Sequence, residues 1–250
     1  MERGEIDLRL ERDFPPGIVK ISTMSMKLLL FDLDGTLVST GGAGVRALDR
    51  AFLSLQRLAR ASEGVPFAGR TDPSIIKDIF RLKLRREIDP KESQDIENHY
   101  LAALAAELTV PDGYRVLDGV EPLLSVLAAR EDVFLALGTG NLEAGARLKL
   151  ERAGLNKYFS TGGFGSDAED RPEVLRRGVR RAEEKTHRRF KPRQVVVIGD
   201  TVHDVSAGKA IGAVTVAVGA GHASEADLRA AKPDLYLSSF QDPEAFLKIL

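Results

Sequence analysis

At 250 residues, 43% apolar and 29% charged, the chain has the make-up of a soluble protein with a substantial core, folded as one large domain or two smaller ones. Its formal net charge of -1 gives the molecule as a whole no electrostatic pull toward nucleic acid or anionic lipid, so any anion recognition must be local. The absence of cysteine excludes disulfides, thiolate nucleophiles and thiolate metal sites.

Residues 1–26 read as an N-terminal extension. MERGEIDLRLERD mixes acids and bases without the apolar centre of a secretory leader, and Met24 or Met26 is an alternative start. No apolar run approaches the roughly 20 residues of a membrane helix, so a cytoplasmic protein is expected. From Lys27 the run KLLLFDLDGT reads as a buried parallel strand opening into a loop. Residues 39–116 then offer no strand but helical stretches around 44–60, 73–86 and 93–108, which reads as an inserted all-helical cap domain entered at Gly41-Gly42. From Gly119 to Arg130, Val120, Leu123, Leu124 and Leu127 share a helix face, with Asp118 as the expected N-cap. Strand-plus-loop units follow in VFLALGTGN (133–141), QVVVIGDT (194–201) and AVTVAVG (213–219), with a weaker one in DLYLSS (234–239). Helices over 142–153 and 172–185 separate the first two of these. This alternation predicts an α/β fold, a doubly wound, Rossmann-like parallel sheet core built from residues 27–38 and 117–250.

The acids fall where such a sheet puts its site, beyond the carboxyl ends of strands. Asp32 and Asp34 flank Leu33 and point to one side of an extended segment. Two carboxylates so placed resist joint ionisation, which leaves two readings, a metal site or an acid/base pair sharing a proton. Gly199-Asp200-Thr201 repeats the pattern, and Asp204 follows at a helix start, where it can also serve as a simple cap. Hard oxygen ligands beside a phosphate suit magnesium. Gly138-Thr139-Gly140-Asn141 precedes a helix, so its backbone N–H groups and the Thr139 hydroxyl can receive an anion.

With DLDGT, GTGN and GDTVHD in this order, the chain resembles the haloacid dehalogenase (HAD) superfamily over roughly residues 27–240. The cap segment AGRTD, Ala68 to Asp72, resembles phosphoglycolate phosphatase-like members with a helical cap. The resemblance implies Asp32 as nucleophile and Asp34 as general acid, then base. It implies Thr139, Gly140 and Asn141 around the phosphoryl group, and Mg2+ held by Asp32, the Asp34 carbonyl and Asp200, with Asp204 beside it. The second aspartate favours phosphate over haloacid chemistry. The family's lysine before the third strand is missing, with no lysine between Lys157 and Lys185; Arg171 in Asp170-Arg171-Pro172 is the expected substitute, and Lys149 the other candidate.

Arg70 is expected to reach a substrate anion from the cap. His203 lies in the acidic loop, and His99, His187 and His222 show no ligand spacing and read as incidental. Ten Lys or Arg against three Glu between Arg171 and Arg193 read as a solvated helix face rather than a nucleic-acid surface. The expected function is a Mg2+-dependent phosphatase hydrolysing a small phosphorylated metabolite, phosphoglycolate-like or a sugar phosphate, through an aspartyl-phosphate intermediate, as monomer or homodimer, with neither nucleic acid nor membrane as partner. The alternatives are a phosphomutase of the β-phosphoglucomutase type and a non-catalytic phospho-aspartate switch protein.

Overall fold

The computed structural model describes residues 26–109 and 113–250. The expected N-terminal extension lies outside the described residues, apart from Met26.

Strand β1 (Lys27–Phe31) is followed by the short β2 (Val38–Thr40) and by three helices, α1 (Ala43–Gln56), α2 (Asp72–Ile79) and α3 (Pro90–Thr109). The chain returns through β3 (Tyr114–Val116) to α4 (Val120–Ala128), β4 (Val133–Gly138) and α5 (Glu143–Arg152). Then come β5 (Gly162–Gly163), α6 (Arg171–Thr186), β6 (Val195–Gly199), α7 (Val202–Ala210), β7 (Val214–Val218), α8 (Glu225–Ala230), β8 (Leu235–Leu237) and α9 (Pro243–Leu247). The main sheet is parallel in every pairing and ordered β5-β4-β1-β6-β7-β8. This is the expected α/β architecture, with helices on both faces.

Its cause is visible along the strands. β6 and β7 are buried at every residue and β1 at all but Lys27, as parallel strands covered on both faces must be. On one face Leu29, Phe31 and Ile198 pack with Leu123 and Leu127 of α4 and Phe246 of α9. On the other Leu28, Leu30 and Val197 meet Leu175 and Ala182 of α6. The helices between β2 and β3 have an apolar cluster of their own, including Phe52, Ile76, Phe80 and Leu104, and Leu142 at the start of α5 joins it.

Four details depart from the sequence reading. Residues 39–116 are not wholly helical, because β2 and β3 form a two-stranded antiparallel ribbon where the chain leaves and re-enters the core. The residue capping α4 is Gly119, in the left-handed region, not Asp118, whose carboxylate instead accepts from Gln241 Nε2 at 3.1 Å. The expected helix over 73–86 is α-helical only to Ile79 and continues as a π-turn over Phe80–Leu84. The first helix stops at Gln56, where Arg57 turns left-handed.

Candidate active site

Strand order puts the ends of β4, β1 and β6 side by side, and with them the motif residues. Asp32 follows β1, its N–H donating to the Ile198 carbonyl of β6 at 2.8 Å. Gly35 has φ 80 and sits so close to the Asp200 carboxylate that a Cβ would overlap it, which makes glycine the residue that lets the loop turn here. The Asp34 carboxylate accepts through Oδ2 from Asn141 Nδ2 at 2.8 Å and Lys149 Nζ at 2.6 Å.

At the end of β6, Asp200 is fully buried. Its Oδ1 accepts from the Thr36 hydroxyl at 3.3 Å, and its Oδ2 faces the His222 backbone N–H at 2.7 Å and ring Nδ1 at 2.8 Å. That hydrogen bond raises the His222 pKa against the opposing effect of burial. Asp204 sits in the first turn of α7, where its Oδ2 accepts from the N–H and, at 2.6 Å, the hydroxyl of the N-cap Thr201. Its other oxygen is gripped by Arg171.

Arg171 opens α6 behind the N-cap Asp170, with Pro172 next, and the helix start holds it in place. It is 8% exposed, one terminal nitrogen reaches both Asp204 and Asp32 Oδ1 (3.4 Å), and its buried Nε has no protein partner. Lys149, buried on the inner face of α5, also donates to Asn141 Oδ1 at 2.6 Å. Thr139 Oγ1 accepts from the N–H of Asn141 at 3.3 Å and from its Nδ2 at 2.9 Å, so its own proton remains to be donated. The Thr139 and Leu142 amides are taken by Gly163 and Asp72, so the loop turns fewer N–H groups outward than its glycines suggest.

Carboxylate oxygens of Asp32, Asp200 and Asp204 lie within 4.8 Å of one another, all three buried. Burial first, and then Asp204, push Asp32 up to about 8, against the pull of Arg171. Asp32 and Asp200 open on a cavity of about 320 Å³ whose other wall comes from the segment between β2 and β3, including Leu48, Arg70, Asp72, Ile75 and Tyr100. Arg70 lines it, but its guanidinium is bound to Asp78 and, at 3.3 Å, Ser74. The segment around Asp72 is pinned to the GTGN loop, where the Asp72 N–H donates to Gly140 O at 2.8 Å and Asp72 Oδ2 accepts from Leu142 N at 2.9 Å. A Cβ on Gly140 would run into the Arg70 carbonyl.

The sequence reading thus names most of the groups gathered here, but treats His222 as incidental and passes over Asp72 and Tyr100. The strand-end rule reaches His222, which follows the Gly219-Ala220-Gly221 turn beyond β7. His203, although next to the acidic loop, packs against Gly69.

A haloacid dehalogenase-like hydrolase family model matches residues 26–212. The chain is 26% identical over 227 residues to the "Probable phosphatase IndB" of Dickeya dadantii, covering 86% of this chain and 90% of that protein. It is 24% identical over 226 residues to the phosphoglycolate phosphatase of Photorhabdus laumondii, 87% and 90% of the two chains. In fold it is similar to CbbY from Rhodobacter sphaeroides, solved in complex with phosphate, with a TM-score of 0.66 at 20% identity over 87% of this chain and 96% of that one. The match over residues 26–212, on a sheet that gathers the three motifs at one end, means that the chain belongs to the haloacid dehalogenase-like hydrolases.

Proposed function

We propose that this protein is a Mg2+-dependent phosphatase that hydrolyses a small phosphorylated metabolite through a phosphoryl group carried on Asp32. The observation that carries the reading is the convergence of the buried Asp32, Asp200 and Asp204 oxygens within 4.8 Å of one another, with Asp32, Asp200, Thr139 and Arg171 lining one cavity.

A divalent cation fits this donor set. Asp32, Asp200 and Asp204 bring three carboxyl groups together against the cation Arg171, so their full ionisation leaves two negative charges that a hard dication offsets. Without it, Asp32 holds its proton to about pH 8, and a protonated carboxyl is no nucleophile. Asp32, the Asp34 carbonyl and Asp200 would hold the ion, with Asp204 braced beside them by Thr201 and Arg171. When bound, the ion screens nucleophile from phosphate and gathers the charge that develops on the phosphoryl oxygens.

The remaining work falls to the chain's own groups. Thr139 donates its hydroxyl to a phosphoryl oxygen, and the Arg171 guanidinium, held against Asp32, sets a positive charge beside it. An Asp32 oxygen attacks phosphorus and the bond to the leaving oxygen breaks. Asp34 gives that oxygen its proton from Oδ1, since Lys149 and Asn141 already occupy Oδ2. Ionised Asp34 then takes a proton from water, whose oxygen attacks the same phosphorus. The Asp32–phosphorus link breaks, and inorganic phosphate and free Asp32 result.

Release of inorganic phosphate from p-nitrophenyl phosphate, with Mg2+ and with EDTA, tests the reading. Activity is expected only with Mg2+, and Asp32→Asn should lower kcat by about 10³-fold or more. Metal-dependent turnover retained in Asp32→Asn would sink the nucleophile assignment. Phosphate release without a bisphosphate activator also separates this reading from the phosphomutase.

A further inference from the structure

The cavity wall opposite the nucleophile carries polar groups that the chemistry above does not use. Tyr100, on α3, is 4% exposed, its ring packs near Gly145 of α5, and among the described residues its hydroxyl has no hydrogen-bond partner. A Cβ placed on Gly44 would stand 3.7 Å from that hydroxyl and 3.8 Å from Lys149 Nζ, which itself holds Asp34 at 2.6 Å. The phenol therefore shares the Gly44 side of the cavity with the lysine that holds Asp34. Asp72 lines the same wall, its Oδ2 taken by the Leu142 N–H and its Oδ1 without a hydrogen-bond partner among the described residues. Val45, Leu48, Ile75 and Ile76 supply the apolar surface around them. The hydroxyl oxygen itself is open to the cavity, where a bound ligand can pair with it.

We propose that Tyr100 and Asp72 read the leaving group of the substrate, and that this group is an uncharged, hydroxylated carbon chain such as a polyol or sugar rather than an acid or a second phosphate. The inference rests on the phosphatase reading and deepens it. Burial first, and then the closeness of Asp72 and Asp34, push the Tyr100 phenol well above its ordinary value, so it stays an O–H that can both donate and accept. The free Asp72 oxygen offers an acceptor to a hydroxyl, whereas a carboxylate or phosphate placed there would face Asp72 and Asp34 against the one cation Lys149, which Asp34 already holds. The other cations on the wall do not reverse this. Arg70 is bound to Asp78, and Arg115 is exposed on β3, on the ribbon side of the cavity. The hydrocarbon of a polyol matches the apolar side chains between these polar points.

The test compares kcat/KM for ribitol 5-phosphate and glycerol 3-phosphate with that for 2-phosphoglycolate, pyrophosphate and phosphoethanolamine, using p-nitrophenyl phosphate as a reference without hydroxyls. The polyol phosphates should lead the charged compounds by about 10-fold or more. Tyr100→Phe should lower the ratio of ribitol 5-phosphate to p-nitrophenyl phosphate by about 5–10-fold, the loss of one hydrogen bond. Asp72→Asn should raise 2-phosphoglycolate relative to ribitol 5-phosphate. A loss in Tyr100→Phe equal on every substrate, an unchanged ratio in both variants, or a charged compound in the lead would overturn the proposal. Should Tyr100→Phe fail to fold, the wild-type ranking and Asp72→Asn decide alone. No Mg2+-dependent turnover of p-nitrophenyl phosphate at all would instead bring down the phosphatase reading beneath it.

Discussion

Arg171 illustrates how much one side chain can be asked to hold. Its planar guanidinium touches Asp204 and Asp32 together through one terminal nitrogen, while Nε is buried without a partner. A lysine there keeps the charge but carries it as a compact ammonium on a flexible stem, without the guanidinium's rigid planar set of donors. Arg171→Lys is therefore expected to lower kcat/KM by about 10–100-fold with the protein still folded, measured as phosphate release beside circular dichroism. Activity within about 2-fold of wild type would show that the fork is not used. The residues gathered at the cavity differ in how plainly the sequence announces them. Asp32, Asp34, Thr139, Asp200 and Asp204 follow apolar strands directly, and the local pattern alone puts them at the carboxyl edge. Lys149 and Tyr100 lie mid-helix among unremarkable neighbours, and only the packing of α3 against α5 turns them inward. Asp72 is legible as an acid near a helix start, but not as a ligand for the Leu142 amide 70 positions away.

At the scale of elements, the core helices and strands are legible because their apolar runs are long and their burial two-sided. The ribbon is not, since β2 and β3 hold three residues each and pair across the whole helical insertion. The α4 cap is misread for a related reason, because the left-handed turn at Gly119 is fixed by close packing against Phe240 rather than by any side-chain acceptor. Helix α9 is short and carries little pattern, yet it completes the core. Its Phe246 is fully buried, stacked on Phe31 at 6.2 Å and set edge-on to Phe240 at 6.1 Å. Phe246→Ala should cost about 3–5 kcal/mol, seen in urea denaturation as a lower midpoint with an unchanged slope. A loss under about 1 kcal/mol would mean that α9 is not docked in solution.

For the molecule as a whole, the acidic floor makes stability depend on pH and on metal together. Burial beside Asp204 raises Asp32 from 3.8 to about 8, so the fold keeps a proton that the unfolded chain releases in that interval. Metal-free protein therefore loses stability as pH rises from about 4 to about 8, and the raised pKa of His222 acts in the same direction. In EDTA the Tm should fall by several degrees between about pH 5 and about pH 8, and saturating Mg2+ should remove most of that fall. A Tm in EDTA that rises with pH over this range would contradict the account. The position of β1 bears on how such a protein can change over generations. It carries Asp32 through the middle of the sheet, bonded to β4 on one edge and β6 on the other, whereas Tyr100, Asp72 and Leu48 belong to the insertion between β2 and β3. Inherited substitutions that re-cut the insertion can alter which ester is accepted without disturbing two ladders of backbone bonds, while a change in β1 itself strikes reactivity and folding at once.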